Sequence, residues 1–194
     1  MGNFILSYNR TSKFEGGYSN QKDDKGGESY KGISRVFHPF WNGWKIIDNY
    51  KSKKFFPNNL VGDSELELLV KDFYKIEFWN KIQGDAILNQ ELADELFDMS
   101  VNFGAVKAII YLQRALNILN KNKLSYNDII VDGVFGTKTL MALSSCIKAN
   151  GWDLLLNVLN GFQIKHYIEI MERNPSQEIF IGWFKRVKIT WENN

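Results

Sequence analysis

Apolar residues recur along this chain at the three-to-four-residue spacing of helices, and polar or glycine-rich stretches separate the runs. Phe4 to Phe14 opens with Phe4, Ile5, Leu6 and Tyr8, a short amphipathic helix halted by Gly16 and Gly17, because glycine readily takes the left-handed backbone that ends helices. Arg35 to Tyr50 carries Val36, Phe37, Phe40, Trp41, Trp44, Ile46 and Ile47 but is interrupted by Pro39 and Gly43, so broken helix and turns are expected there. Beyond the polar connector Lys51 to Gly62, Asp63 or Ser64 caps a helix, with Glu67 completing a capping box from Ser64. Its apolar positions Leu66, Leu69, Val70, Phe73 and Ile76 run on to Trp79. Asn80 to Asn89 reads as a loop or short helix around Gly84. Gln90 to Phe103 is a well-patterned helix, with Leu92, Leu96, Met99 and Phe103 on one stripe and Asp94, Asp98 and Asn102 on one polar face. The pattern alone makes that polar face solvated.

The alternation of helices and loops continues to the end. Val106 to Leu119 is helical through Ile109, Leu112 and Leu116; Lys121 to Ile130 is a polar loop; Val131 to Gly136 is a turn cluster. Thr137 caps a helix that closes at Asn150 and Gly151. Leu154 to Met171 is another, continuous or broken at Gly161, and Pro175 opens a last one through Ile179, Trp183 and Val187. No alternating strand pattern exceeds a few residues. The fold class is therefore mainly α, with room for a small β-hairpin between Tyr18 and Ile33.

Composition narrows the function classes. A length of 194 residues with 44% hydrophobic residues supports one large domain or two small ones with a real core. A net charge of +2 gives no electrostatic footprint for nucleic acid, and the basic runs Lys51 to Lys54 and Lys185 to Lys188 read as solvated surface. No apolar run approaches the ~20 residues of a membrane span. Met1 to Asn20 lacks the pattern of a secretory signal, so synthesis in the cytosol is expected, with release by another, holin-like route if the target lies outside the inner membrane. Cys146 is alone and sits in an apolar helix pattern, so it reads as a small core residue. His38 and His166 are isolated, no Cys or His pair has zinc spacing, and Asp23 to Glu28 lacks the alternating oxygen ligands of a calcium loop. No metal and no cofactor is expected.

What remains is carboxylate chemistry. Phe14-Glu15-Gly16-Gly17-Tyr18 places Glu15 in the last turn of the first helix, where the negative end of the helix dipole favours a protonated acid. Desolvation by Phe14 and Tyr18 would push the same way, and a carboxyl that keeps its proton near neutrality can act as a general acid. The residues leave open the alternative of a solvated glutamate beside plain Gly-Gly punctuation. A chain reversal after Gly17 would bring Asp24, or else Asp23, to face Glu15, the two-carboxyl arrangement of glycosidases. The Ser29 hydroxyl could orient a water or a sugar hydroxyl, and Gly26, Gly27 and Gly32 would let a polymer approach the backbone.

Glu15-Gly16-Gly17-Tyr18 followed by Asp24-x-Gly26-Gly27-x-Ser29-x-x-Gly32-Ile33-Ser34 resembles the N-terminal signature of family 108 of the glycoside hydrolases, N-acetylmuramidases with a lysozyme-like helical fold, some known as secretion activators. Phe97-Asp98-x-x-Val101-Asn102-x-Gly104 resembles that family's Phe-Asp-x-x-Val-Asn-x-Gly helix. Leu112-Gln113-Arg114-Ala115-Leu116, Asp132-Gly133-x-x-Gly136-x-x-Thr139 and Gly182-Trp183-x-x-Arg186 resemble its peptidoglycan-binding-like C-terminal part and closing motif. The resemblance implies a catalytic region over 1–104 and a helical peptidoglycan-binding-like region over 105–194. It makes Glu15 the general acid and Asp24 its partner, with Ser29 standing where the family usually has threonine. Lys25 replaces a usual proline, and Tyr30-Lys31 inverts the usual order. Asp98 and Asn102 match family positions that either support the groove or touch substrate. The expected reaction is hydrolysis of the β-1,4 bond between N-acetylmuramic acid and N-acetylglucosamine in peptidoglycan glycan strands by a monomer. Tyr18, Asp23, Tyr30, Trp41 and Trp44 are further candidates for sugar contact. Lytic cleavage to an anhydro product, and a non-catalytic wall-binding or secretion-assisting role, are the alternatives.

Overall fold

The computed structural model describes residues 1–12, 16–20 and 27–187. It is mainly α with a small antiparallel sheet, as the hydrophobic pattern predicts. The chain forms two compact units: Met1–Ser7 with Phe78–Asn194, and Tyr8–Glu77. The first helix, α1, spans Phe4–Thr11; the expected placement of Glu15 in its last turn lies outside the described residues.

In the unit Tyr8–Glu77, strands β1 (Tyr18–Ser19), β2 (Ser29–Tyr30) and β3 (Ile33–Ser34) pair antiparallel in chain order. The register aligns Tyr18, Tyr30 and Ile33 in one row and Ser19, Ser29 and Ser34 in the next. Adjacent strand residues point to opposite faces, so the sheet has an apolar face, with Tyr30 and Ile33 buried, and a hydroxyl face. The expected hairpin thus gains a third strand. Lys31 and Gly32 join β2 to β3 with φ of 44° and 77°, the paired left-handed conformations of a tight hairpin turn.

Helices α2 (Gly43–Lys51) and α3 (Ser64–Tyr74) pack together and bury Trp44, Ile47, Leu66, Val70 and Tyr74. Gly43 opens α2 rather than interrupting it. At α3 the cap is Asp63, whose Oδ1 accepts from the Leu66 N–H at 2.9 Å. The expected capping box from Ser64 does not form, because Glu67 turns away to pair with Lys31.

In the other unit, α4 (Gln90–Phe103) packs against α5 (Ala105–Leu119) and α7 (Trp152–Arg173), and α6 (Thr137–Asn150) packs against α5 and α7. Helix α4 is buried on nearly every side, including Leu92, Ala93, Leu96, Phe97, Met99 and Ser100. Its polar face is not solvated: Asp94 is 8% exposed, and its Oδ1 accepts from the Ser7 hydroxyl and the Gln90 amide, both at 2.6 Å. The π-helical turn Lys75–Trp79 delivers Trp79, fully buried against Phe4 and Phe97. Only glycine fits at 84, since a Cβ there would lie 2.4 Å from the Trp79 ring. Gly136, not Thr137, occupies the cap position of α6. Helix α7 continues through Gly161, Cys146 is buried as expected, and the last segment, Pro175–Arg186, is two 3-10 pieces meeting at Phe180. Among the described residues, no helix is long and apolar enough to cross a membrane.

Candidate functional site

Glu15, Asp23 and Asp24 lie outside the described residues, so the site is built from what flanks them. Asp23 and Asp24 fall in the connection between β1 and β2. The base of that connection is closed by the β1–β2 pairing and by the Tyr18 hydroxyl, which donates to Glu28 at 3.0 Å. Glu28 in turn accepts from Arg35 at 2.8 Å and pairs with Lys51 at 2.7 Å. Arg35 also grips Asp48 of α2 through two bonds of 2.8 and 2.6 Å, and Lys51 reaches Asp48 at 2.9 Å. The forked guanidinium suits such two-point binding. This cluster ties both ends of the β1–β2 connection to α2.

Electrostatics in the cluster favour its ionised form. Burial works to raise the Glu28 carboxyl, but the bonds from Lys51, Arg35 and Tyr18 outweigh it and hold the group below its ordinary value. Bonds from Arg35 and Lys51 hold Asp48 far below the usual carboxylate range. Depressed carboxylates stabilise the fold above their unfolded pKa, near 4, and that contribution disappears as pH falls through the lower folded values. Glu28→Gln should therefore cost about 2 kcal/mol at pH 7 and flatten the loss of stability below pH ~4. Chemical denaturation at neutral and acidic pH measures both effects.

Among the described residues, two clefts beside this sheet lie within the same unit. One, of about 250 Å³, is lined by Gly17, Tyr18, Tyr30, Lys31, Pro57, Asn58, Leu60, Val61 and Glu67. The other, of about 240 Å³, is lined by Tyr8, Asn9, Ser12, Lys31, Glu67, Lys71 and Tyr74. The Lys31–Glu67 ion pair belongs to both and divides them. Tyr30 is 3% exposed, and burial, followed by Glu67 and Asp63, pushes its phenol up to about 12, so it stays neutral.

The other sequence candidates are placed as follows. Ser29 sits in the hydroxyl row with Ser19 and Ser34, on the face opposite Tyr18 and Tyr30. Trp41 is half-buried, stacked near Tyr30 at 6.5 Å, edge-on to Trp44 at 5.2 Å, with its indole N–H on the Leu69 carbonyl. Trp44 is 2% exposed. Asp98 and Asn102 belong to the other unit. The Asp98 Oδ1 accepts from Arg186 Nε and Nη2 at 3.2 and 3.1 Å, and its Oδ2 from Asn102 at 2.9 Å and Gln163 at 3.0 Å. The motif around Asp98 and the one ending at Arg186 thus meet in a largely buried ion pair.

A second pair of motifs meets at Gln113. Its amide donates to Asp132 Oδ1 at 2.8 Å and to the Val134 carbonyl at 3.1 Å, and its oxygen accepts from the Asp132 and Gly133 N–H groups at 3.0 and 2.9 Å. One buried side chain therefore satisfies a turn whose backbone would otherwise be orphaned. Glu28, Arg35 and Asp48 went unassigned from the sequence, and Glu67 was read as part of a capping box. Their only signal for the site was charge, which is common on any surface.

Comparison with known proteins matches the model of glycosyl hydrolase 108 to residues 8–104 and that of a predicted peptidoglycan domain to residues 107–188. Among solved structures, SagA of Brucella abortus is similar over 95% of this chain and 88% of that one, at 22% identity and a TM-score of 0.60, a likeness of fold. No curated protein matches. The two models together give a glycoside hydrolase with a peptidoglycan-directed role. With its ordered motifs and half its length matched by the first model, the chain belongs to the glycosyl hydrolase 108 family.

Proposed function

We propose that the protein is an N-acetylmuramidase that hydrolyses the β-1,4 bond between N-acetylmuramic acid and N-acetylglucosamine, with Glu15 as proton donor. The supporting observation is the bracketing of Glu15 in the chain: Ser12 lines one cleft and Gly17 lines the other. Asp24, or Asp23, sits in the β1–β2 connection whose base the Tyr18–Glu28 bond closes; it serves to activate water or stabilise the developing positive charge on the sugar. On the sheet face opposite Tyr18 and Tyr30, the Ser29 hydroxyl offers a donor and an acceptor for a water or a sugar hydroxyl. Tyr18 gives the cleft it lines an aromatic wall that suits an apolar sugar face. In this reading 1–104 cuts and 105–194 holds the wall.

The match over residues 107–188 favours a second reading, a wall-binding protein without catalysis. Incubation with purified, insoluble peptidoglycan separates the two. Release of reducing ends that grows with time and enzyme concentration supports the hydrolase. Sedimentation of the protein with the wall and no new reducing ends supports the binder.

A further inference from the structure

We propose that Lys71 forms a carboxylate-binding subsite beside the cleavage site, recognising the acidic branch at C3 of muramic acid. The branch is a free lactyl carboxylate where the stem peptide is missing, and a peptide carboxylate where it is present. The proposal rests on peptidoglycan being the ligand.

The cleft lined by Tyr8, Asn9, Ser12 and Tyr74 contains two ammonium groups, Lys31 and Lys71, and one carboxylate, Glu67. Glu67 and Lys71 are one helical turn apart on α3, a spacing at which such residues ordinarily pair. Here Glu67 pairs with Lys31 instead. Lys31 is fixed for that role: its backbone is left-handed at φ 44°, its N–H donates to Gly17 at 3.1 Å, and its carbonyl accepts from the Tyr74 hydroxyl at 2.8 Å. A non-glycine residue held in that conformation needs support from its surroundings, and Gly17, Tyr74 and Glu67 supply it. Lys71 is left half-buried, with no ion pair among the described residues. Among the described residues, the cleft lining therefore carries one net positive charge.

That arrangement suits an incoming anion. A partly desolvated ammonium gains from a carboxylate more than a fully hydrated one does. The Asn9 amide and Ser12 hydroxyl line the same cleft as further donors. On the far side of the Lys31–Glu67 pair, the neighbouring cleft presents Tyr18, Pro57 and Val61, surfaces for a sugar ring rather than for a charge. A glycan residue with an acidic branch matches the two clefts in sequence: ring in one, branch in the other.

The test is calorimetric binding of three soluble probes: N-acetylglucosaminyl-N-acetylmuramic acid with its stem peptide, the same disaccharide without it, and uncharged chitobiose. None contains the bond the enzyme is proposed to cut, so binding is read apart from catalysis. Wild-type protein should bind at least one acidic disaccharide about tenfold more tightly than chitobiose, the size expected of a charge-assisted bond at a half-exposed site. Lys71→Gln should bring that ratio close to one, and Lys71→Arg should keep it. Lys71-dependence with the stem-free probe identifies the lactyl carboxylate; dependence with the stem-bearing probe identifies a peptide carboxylate. A wild-type ratio near one, or a ratio unaltered in Lys71→Gln, overturns the subsite. Lys71-dependent binding by a protein that releases no reducing ends from peptidoglycan would refute the hydrolase reading and leave the subsite standing.

Discussion

Glu15→Gln is expected to slow peptidoglycan cleavage by about 10³-fold, corresponding to about 4 kcal/mol of lost transition-state stabilisation. Glutamine has nearly the same volume as glutamate but no acidic proton, so the leaving oxygen would depart without protonation. Glu15→Asp keeps the acid but draws it back by one methylene, and an intermediate loss is expected, since general-acid catalysis demands hydrogen-bond reach. Release of reducing ends from purified peptidoglycan measures both variants. Their melting temperatures should stay within a few degrees of wild type, separating lost chemistry from lost fold. Full activity in Glu15→Gln would remove Glu15 from the mechanism.

The largest effect on stability should come from Asp98→Ala. The Asp98 and Arg186 side chains are 13% and 8% exposed, and removing the carboxylate breaks an ion pair from which water is largely excluded. Breaking one side of such a pair costs about 3–5 kcal/mol, which for a chain of this size lowers the melting temperature by roughly 10 °C. It also takes one acceptor from each of the Asn102 and Gln163 amides, which keep the Asp98 carbonyl and the Tyr167 hydroxyl. The double variant Asp98→Ala with Arg186→Ala should recover part of the loss, since the guanidinium that the carboxylate balanced is then gone as well. Additive losses in that cycle would show that the pair contributes no coupling.

The helices were legible because they bury long stripes, and a stripe such as Leu92, Leu96 and Met99 repeats often enough to be read from one sequence. The third strand was not, because Ile33-Ser34 offers two residues where alternation needs several. The polar face of α4 looked solvated because a carboxylate has the same sequence signature whether water or protein surrounds it. Only the fold brings Arg186, 88 residues away, to Asp98. The same holds for Glu67, whose local context suggested a capping box but whose partner is a lysine on the β2–β3 turn. Gln113 shows the converse case: the motifs around it and around Asp132 and Gly133 stood out in order, and their hydrogen bonds give them one structural reason. Of the site itself, the sequence named the glycine-flanked acid and the loop acids. The cleft-dividing pair and Lys71 became apparent only once β2, β3 and α3 were placed together.

The most direct test of the catalytic account is the chemical form of the chain ends made from purified peptidoglycan, determined by mass spectrometry. Hydrolysis at the proposed bond predicts fragments ending in N-acetylmuramic acid with one water added, produced by wild type and not by Glu15→Gln. Anhydro ends, N-acetylglucosamine at the new reducing end, or no new ends at all would contradict it.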